Sequence, residues 1–373
     1  MAGKIESAWH KKFANLVLSS ACAFCVVGLV FTFYRSALYP WQALRLYSVL
    51  FISGVLLFGF ALRWQENRKV NFALVVFSVG IMTYVAEIAL VLVSSASMNL
   101  DERRAEAAQQ RGIEFDTRTK FQVIMDLRHE GVEAYPEHRA VFLDSHGEGM
   151  VNENMYVLGT LAQKVIVHCN ESGAYTVFQS DEHGFNNSIG LYEKQRLDAL
   201  LLGDSFAEGS CVKPGEDIAG QLRKRGKLVI NVATSGNGPL IELATLQEYA
   251  HVLKPEKVLW LYYEGNDLQD LAQEEKSSFL LQYLEDDFTQ DLVRRQPEIN
   301  QKLEYHIENL LRKELARQAQ GWLNDFSLAR ILRLYESRKL LRRIFETSEE
   351  APIGRFMEVL TEAKARVALW GGN

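Results

Sequence analysis

The sequence predicts an α/β protein in which an N-terminal anchor of three transmembrane helices precedes a parallel sheet covered by helices, with a helical insert. Three observations lead to this prediction. Long apolar runs crowd the first hundred residues, and short apolar strands alternate with helices from residue 197 onward. After residue 268, aromatic residues recur at the spacing of a helix. The net charge of −6 over 373 residues gives no reason to expect nucleic acid as a partner.

The anchor is predicted from three apolar stretches, at about residues 14–34, 43–63 and 71–95. Each reaches the roughly 20 residues that an α-helix needs to cross the hydrocarbon core of a bilayer. The first stretch is too long for a cleaved signal peptide, and two more follow it. Residues 1–98 are therefore expected to form a multi-pass anchor in the inner (cytoplasmic) membrane.

The orientation of this anchor follows from the positive charges of its loops. Lys11 and Lys12 precede the first stretch, and Arg68 and Lys69 lie between the second and the third. Lysine and arginine accumulate on the cytoplasmic side of membrane proteins. The N-terminus is thus expected in the cytoplasm, and everything after residue 98 in the periplasm or outside the cell.

Two features within the anchor carry polar atoms. Glu87 is the one acid at membrane depth, and a helix–helix contact is favoured over a polar pathway because no second acid accompanies it. Cys22 and Cys25 form a CxxC pattern inside the first stretch. Packing at a helix interface is a better interpretation of these two residues than metal or redox chemistry.

Beyond the anchor, residues 99–190 are expected to form a helical stalk and an irregular lead-in, and residues 191–373 an α/β domain. Strands of this domain are predicted at residues 197–203, 227–233 and 257–265. Apolar strands separated by helices indicate a parallel sheet that is buried on both faces. Ligands bind such sheets at the carboxyl ends of the strands, where three polar loops fall.

These loops carry the sequences GDSFAEG (203–209), SGNGP (235–239) and EGNDL (264–268). Their order and spacing resemble the sequence blocks of the SGNH/GDSL hydrolases, over about residues 197–268. Each block follows a predicted strand, which makes the resemblance far more specific than a single GDS turn. The resemblance implies an SGNH-type sheet.

The same resemblance implies a role for one residue in each loop. Ser205 would be the nucleophile, and its own N–H would share in the oxyanion hole. Gly236 would contribute a second backbone N–H, and Asn266 a third donor from its side-chain amide. This chemistry suits esters, because a serine hydroxyl attacks the carbonyl and the resulting oxyanion meets donors that are already in place. No cofactor and no metal are expected.

The chain departs from the family pattern at two points. Glu264 stands where the family has glycine, which narrows the pocket or places an acid at its rim. The family's DxxH block is absent, and His183 is the one loop histidine near the core elements. We expect the sequence to be cut short before that block, the alternative being a complete but catalytically inactive relative. A reading frame that continues past Asn373 into a DxxH would separate the two.

The remaining features leave alternatives open. Cys169 and Cys211 lie in the exported part, where either a disulfide or two buried thiols is consistent with the sequence. The insert at about 268–347 carries aromatic residues at helical spacing, for which core packing is favoured over a ligand platform. Its segment 328–345 is basic and amphipathic, which suits a membrane surface, an anionic polymer or a solvated helix face.

The function expected from these observations is that of a membrane-anchored serine esterase or O-acyltransferase. Its substrates would be acyl esters of exported glycans or lipids, O-acetyl groups among them. Its partners would then be the lipid bilayer and an acyl-ester substrate such as a polysaccharide. The alternative is an inactive binding or assembly subunit of an envelope polysaccharide system, which keeps the fold but lacks the base.

Overall fold

The computed structural model describes residues 2–35, 41–96, 100–138, 140, 155–194, 196–285, 288–319, 328–345 and 352–373 of a mixed α/β protein. The chain divides into two compact units. The first consists of Met1–Ser97 and Asp325–Glu346, and the second of Met98–Asn324 and Thr347–Asn373. Residues 325–346, which the sequence assigns to the insert, thus group with the N-terminal helices.

The first unit begins with helices α1 (Ala2–Arg35), α2 (Trp41–Ala61) and α3 (Glu66–Ala96). Two of them contain stretches that are long and apolar enough to cross a membrane, Trp9–Tyr34 in α1 and Glu66–Ser94 in α3. The apolar stretch described in α2, Tyr47–Ala61, is shorter. Within the residues that the structure describes there are therefore two candidate spans, where the sequence predicts three.

Close packing of α1 against α2 accounts for the two cysteines of the first stretch. A Cβ atom added to Gly54 would lie 2.5 Å from the Sγ of Cys25, so glycine lets the two helices approach. The Sγ of Cys22 lies 3.9 Å from the carbonyl oxygen of Val55. Both thiols are reduced and occupy a helix interface, as the sequence predicts.

The second unit begins with helices α4 (Leu100–Gln110) and α5 (Lys120–His129). A capping box starts α5: the Thr119 hydroxyl accepts the N–H of Gln122 at 3.2 Å, and the Gln122 side chain accepts the N–H of Thr119 at 2.8 Å. A helix therefore occupies the segment for which the sequence predicts a stalk, and a second helix follows it.

A small sheet follows, made of β1 (Ala134–Pro136), β2 (Val165–Val167) and β3 (Val177–Gln179). Strand β2 is central, parallel to β1 and antiparallel to β3. Strands β2 and β3 lie within the KVIVHC and AYTVFQ segments in which the sequence predicts short strands.

The second sheet contains β4 (Ala199–Leu202), β5 (Val229–Asn231) and β6 (Lys257–Trp260). Its order is β5-β4-β6 and all pairs are parallel. The central strand is buried on both faces: Leu200 and Leu202 join one apolar cluster, and Ala199 and Leu201 join another. This double burial explains the unbroken apolar run LDALLLG.

Helices connect these strands. The short helix α6 (Ser205–Glu208) and then α7 (Ile218–Lys224) lead from β4 to β5. Helix α8 (Pro239–Thr245) leads from β5 to β6 and continues through a π-helical turn, Leu246–Ala250, and a last turn, His251–Leu253. The three parallel strands thus send their carboxyl ends to one edge of the sheet.

After β6, helix α9 (Asp267–Glu274) and a 3₁₀ turn (Leu280–Leu284) precede the long helix α10 (Gln296–Ala319). Helix α10 packs against the first sheet, where the Tyr135 hydroxyl donates to Oε1 of Glu304 at 2.6 Å. Helix α10 of the insert therefore packs against the first sheet, which belongs to the lead-in region.

The aromatic residues of the insert fall into two groups. Phe279, Tyr283 and Phe288 pack in the main apolar cluster, as the core interpretation predicts, whereas Tyr305 and Tyr335 are exposed. Trp322 and Phe326 lie outside the described residues.

Two further helices, α11 (Leu328–Leu332) and α12 (Tyr335–Phe345), belong to the first unit. Helix α13 (Ile353–Ala368) returns to the second unit and packs against α8. The chain then reaches β6, where the main chain of Asn373 donates to the carbonyl of Glu256 and accepts the N–H of Val258, at 3.1 and 2.9 Å.

A disulfide joins Cys169 to Cys211. The sequence left this pairing open, and the structure decides in its favour. The bond ties the segment after β2 to the segment after α6, so the first sheet is covalently attached to the serine turn of the second. Stable disulfides occur mainly in oxidising compartments.

Candidate functional site

The three loops that the sequence singles out meet at the carboxyl edge of the second sheet. The ring of Phe206, in the first loop, lies 4.4 Å from the ring of Tyr263, just before the third, centroid to centroid. The N–H of Ser235, in the second loop, donates to Oε2 of Glu208 at 2.9 Å. Each neighbouring loop therefore touches the serine turn.

Ser205 opens α6 directly after the central strand. Asp204 caps the helix by accepting the N–H of Phe206 at 2.9 Å. A Cβ atom on Gly203 would lie 2.6 Å from the side chain of Ala207, so the sharp turn between strand and helix requires glycine. This geometry leaves the hydroxyl of Ser205 half-buried at the sheet edge.

Gly236 lies in the second loop with φ +82°, a conformation that favours glycine. Among the described residues, its N–H has no hydrogen-bond acceptor. The neighbouring Asn237 is buried, and neither polar atom of its side chain has a partner within the described part of the chain. The loop thus holds polar groups that no protein atom described here satisfies.

Asn266 precedes α9 in the third loop. Its Nδ2 donates to Oδ2 of Asp270 at 2.6 Å, which fixes the amide and leaves its second hydrogen for another acceptor. The adjacent Asp267 accepts the N–H of Tyr263 at 2.6 Å and holds the turn closed. Burial raises the pKa of Asp267 to about 6, against the opposing effect of that hydrogen bond.

No histidine in the described ranges forms a hydrogen bond with Ser205, whose hydroxyl has one partner there, Oδ2 of Asp204 at 3.4 Å. His183 lies elsewhere: its Nδ1 is 3.4 Å from Oε1 of Gln296, and its ring contacts those of Tyr192 and Tyr249. Burial lowers the pKa of His183. These contacts give His183 no access to Ser205.

A buried ionic network, which the sequence did not reveal, lies beside the serine turn. Nε2 of His168 is 3.0 Å from a carboxylate oxygen of Glu137 and 3.4 Å from one of Glu208. Burial lowers the pKa of His168, but the bonds to the two carboxylates outweigh it and raise that pKa to about 9. The imidazolium therefore supplies the positive charge that two neighbouring buried carboxylates require.

Glu208 connects this network to the second loop. Its Oε2 accepts both the N–H and the hydroxyl of Ser235, the residue before Gly236. Two features of the sequence could have pointed to Glu208: it is an acid, and it follows Ser205 by three residues. His168 carried no such signal, because only the fold brings it to Glu208.

A second buried acid holds the other end of the same loop. Glu274 of α9 accepts the N–H of Gly238 at 2.6 Å and that of Leu240 at 2.9 Å, at the start of α8. Burial raises the pKa of Glu274 to about 8, although these hydrogen bonds act in the opposite direction. Glu264, in the third loop, is exposed.

The arrangement therefore presents a serine hydroxyl, a backbone N–H and a side-chain amide from three adjacent loops. Donors of this kind stabilise the oxyanion of acyl transfer when they converge on one oxygen. The chain matches no protein-family model, and no curated protein or solved structure is significantly similar to it.

Proposed function

We propose that the protein is a membrane-anchored serine esterase or O-acyltransferase of the SGNH/GDSL type. In this proposal Ser205 attacks an acyl ester, and the N–H groups of Ser205 and Gly236 and the amide of Asn266 stabilise the oxyanion. The bond to the alcohol of the ester breaks, and the alcohol leaves with the proton that the serine hydroxyl gives up. The acyl group then passes from Ser205 to water or to a hydroxyl of an acceptor, whose proton restores the serine hydroxyl. The substrates are acyl esters, O-acetyl groups among them, of exported glycans or lipids.

One observation carries the proposal: the loops of Ser205, Gly236 and Asn266 follow the three parallel strands β4, β5 and β6. Carboxyl ends of parallel strands share one edge of the sheet, and that edge is where open α/β sheets bind their ligands. The contacts of Glu208 and Tyr263 described above bring the loops together.

A second candidate function is that of a binding or assembly subunit of an envelope polysaccharide system. The observation that favours it is the lack of a histidine partner for Ser205 among the described residues. A serine hydroxyl without a general base is a weak nucleophile near neutral pH.

Acetate release from an O-acetylated oligosaccharide separates the two functions. The detergent-solubilised protein is incubated with the labelled oligosaccharide, and both bound sugar and free acetate are measured. The esterase predicts acetate release above the rate of hydrolysis without protein. Saturable sugar binding with no acetate release would reject the esterase in favour of the binding subunit.

The proposal also places the second unit outside the cytoplasm, with the N-terminus inside and α1, α2 and α3 each crossing the membrane. The Cys169–Cys211 disulfide supports an oxidising location. In a Cys22→Ala/Cys25→Ala background, a membrane-impermeant maleimide added to intact cells is expected to label Ile189→Cys and not Gln65→Cys. Labelling of both only after the membrane is opened would contradict this orientation.

A further inference from the structure

Helices α11 and α12 pack against α3 within the first unit. More than two hundred residues, most of which belong to the second unit, separate these two helices from α3 in the sequence. The chain therefore returns, after its α/β domain, to the helix that carries one of the two candidate spans.

Glu87 of α3 makes the central contact. It is fully buried, and its carboxylate accepts the N–H groups of Glu336 and Ser337 at 2.8 Å each and the hydroxyl of Ser337 at 2.6 Å. The first N–H groups of a helix have no acceptor within it, and a negative charge is favourable there. Glu87 thus caps α12 from another helix, which accounts for an acid inside an apolar stretch.

The turn between α11 and α12 is fixed by its own contacts. Arg330 forms an ion pair with Glu336 at 2.8 Å, and its guanidinium lies 4.8 Å from the ring centre of Tyr335. Leu334 has φ +51°, which breaks the helix between Leu332 and Tyr335. The chain therefore bends between α11 and α12, just before the N–H groups that Glu87 accepts.

The position of Glu87 sets the depth of this contact. It lies seven residues before Ser94, the end of the apolar stretch of α3. At 1.5 Å per residue, α12 begins about 10 Å inside that end along the helix. Amphipathic helices bury their apolar face about 5–10 Å into the boundary between headgroups and acyl chains, so this depth is at the upper end of that range.

The side chains of the helix pair fit such a boundary. Leu332 and Leu341 are 59% and 51% exposed in the structure, although both are large and apolar. Leu341 lies one turn beyond Ser337 and so projects to the side that faces α3. Lys339, two residues from each of them, is exposed and projects to the opposite side of α12.

We infer that α11 and α12 lie in the membrane interface at the Ser94 end of α3, held there by Glu87, with lipid as the partner of their apolar face. The exposed apolar side chains of α3, among them Ile88 and Leu92, continue the same surface. The inference rests on the proposed membrane anchor. The sequence leaves three interpretations open for the basic amphipathic segment 328–345, and the inference selects the membrane surface.

Fluorescence quenching in vesicles tests this placement. Single cysteines replace Leu341, Lys339, Ile88 and Ile113 in a Cys22→Ala/Cys25→Ala background and carry an environment-sensitive fluorophore. Nitroxide-labelled phosphatidylcholine is expected to quench the probe at 341 nearly as strongly as that at 88. The probes at 339 and 113 are expected to respond instead to a water-soluble quencher.

Each outcome decides between the two proposals. Quenching by lipid at 88 but not at 341 would overturn the inference and leave the anchor standing. Quenching by lipid at neither position would contradict the anchor itself, and with it the inference.

The role of Glu87 is tested with the same probe at 341. Glu87→Ala removes a charged cap and three hydrogen bonds, so water access to the probe is expected to rise by about tenfold or more. Thr83→Ala, one turn earlier on α3, is the control, because that hydroxyl donates only to the carbonyl of Val79 in its own helix. Equal access in both variants would remove Glu87 from the contact.

Discussion

Replacing Ser205 by alanine is expected to abolish ester hydrolysis down to the rate measured without protein. Ser205 is the one hydroxyl at the start of α6, and the account assigns the covalent step to it. In complete serine hydrolases the loss of the nucleophile costs on the order of 10⁶ in kcat. The measurement is hydrolysis of a small chromogenic acetyl ester by the two proteins in the same detergent.

Folding does not confound this comparison. Ser205 is half-buried, and among the residues that the structure describes its hydroxyl makes one hydrogen bond, 3.4 Å long, so its removal should change the free energy of unfolding by well under about 1 kcal/mol. Ser278→Ala, an exposed serine of the same unit outside the three loops, is the matched control. Ester hydrolysis by Ser205→Ala at the Ser278→Ala rate would reject Ser205 as the nucleophile.

Replacing Asn266 by alanine is expected to lower kcat for the same ester by about 10²–10³-fold, with KM little changed. The amide donates to charge that develops only in the transition state, so its loss affects the chemical step more than substrate binding. The bond to Asp270 fixes the amide, and its removal leaves an acid that water can solvate at the loop surface.

Gln269→Ala provides the control for this variant, because Gln269 lies on the same short helix and its side chain is exposed. Its kcat is expected to equal that of the unaltered protein. A normal kcat for Asn266→Ala would remove Asn266 from the oxyanion hole, and an increase in KM alone would assign it to substrate binding.

The sheet and its three loops could be predicted because each strand is short, apolar and followed by a polar turn. Leu200 and Leu202 on one face of β4, and Ala199 and Leu201 on the other, produce an unbroken apolar run. Parallel pairing then places the three loops at one edge by topology alone.

Contacts between distant segments could not be predicted in this way. Cys169 and Cys211 are 42 residues apart, and sequence separation does not determine whether two cysteines meet. His168 reaches Glu208 only because that disulfide and the first sheet bring them together. In the same way, Glu87 and the segment 328–345 were each recognised as unusual, yet only the fold shows that one caps the other.

The placement of these contacts explains how the site is held. The loop that contains Gly236 is held at both ends. Glu208 accepts the N–H of Ser235, and Glu274 accepts the N–H of Gly238. An oxyanion donor must be fixed before the reaction to stabilise the transition state. The buried acids thus act on the loop backbone, and the sequence alone could assign them no such role.

Covalent labelling by a fluorophosphonate tests the central claim most directly. This reagent phosphonylates serines that combine a nucleophilic hydroxyl with an oxyanion hole, and peptide mass spectrometry identifies the modified residue. The account predicts a single adduct on Ser205 of the folded protein, formed more slowly in Asn266→Ala and lost on denaturation. An adduct on another serine while Ser205 stays unmodified, or no adduct on the folded protein, would contradict it.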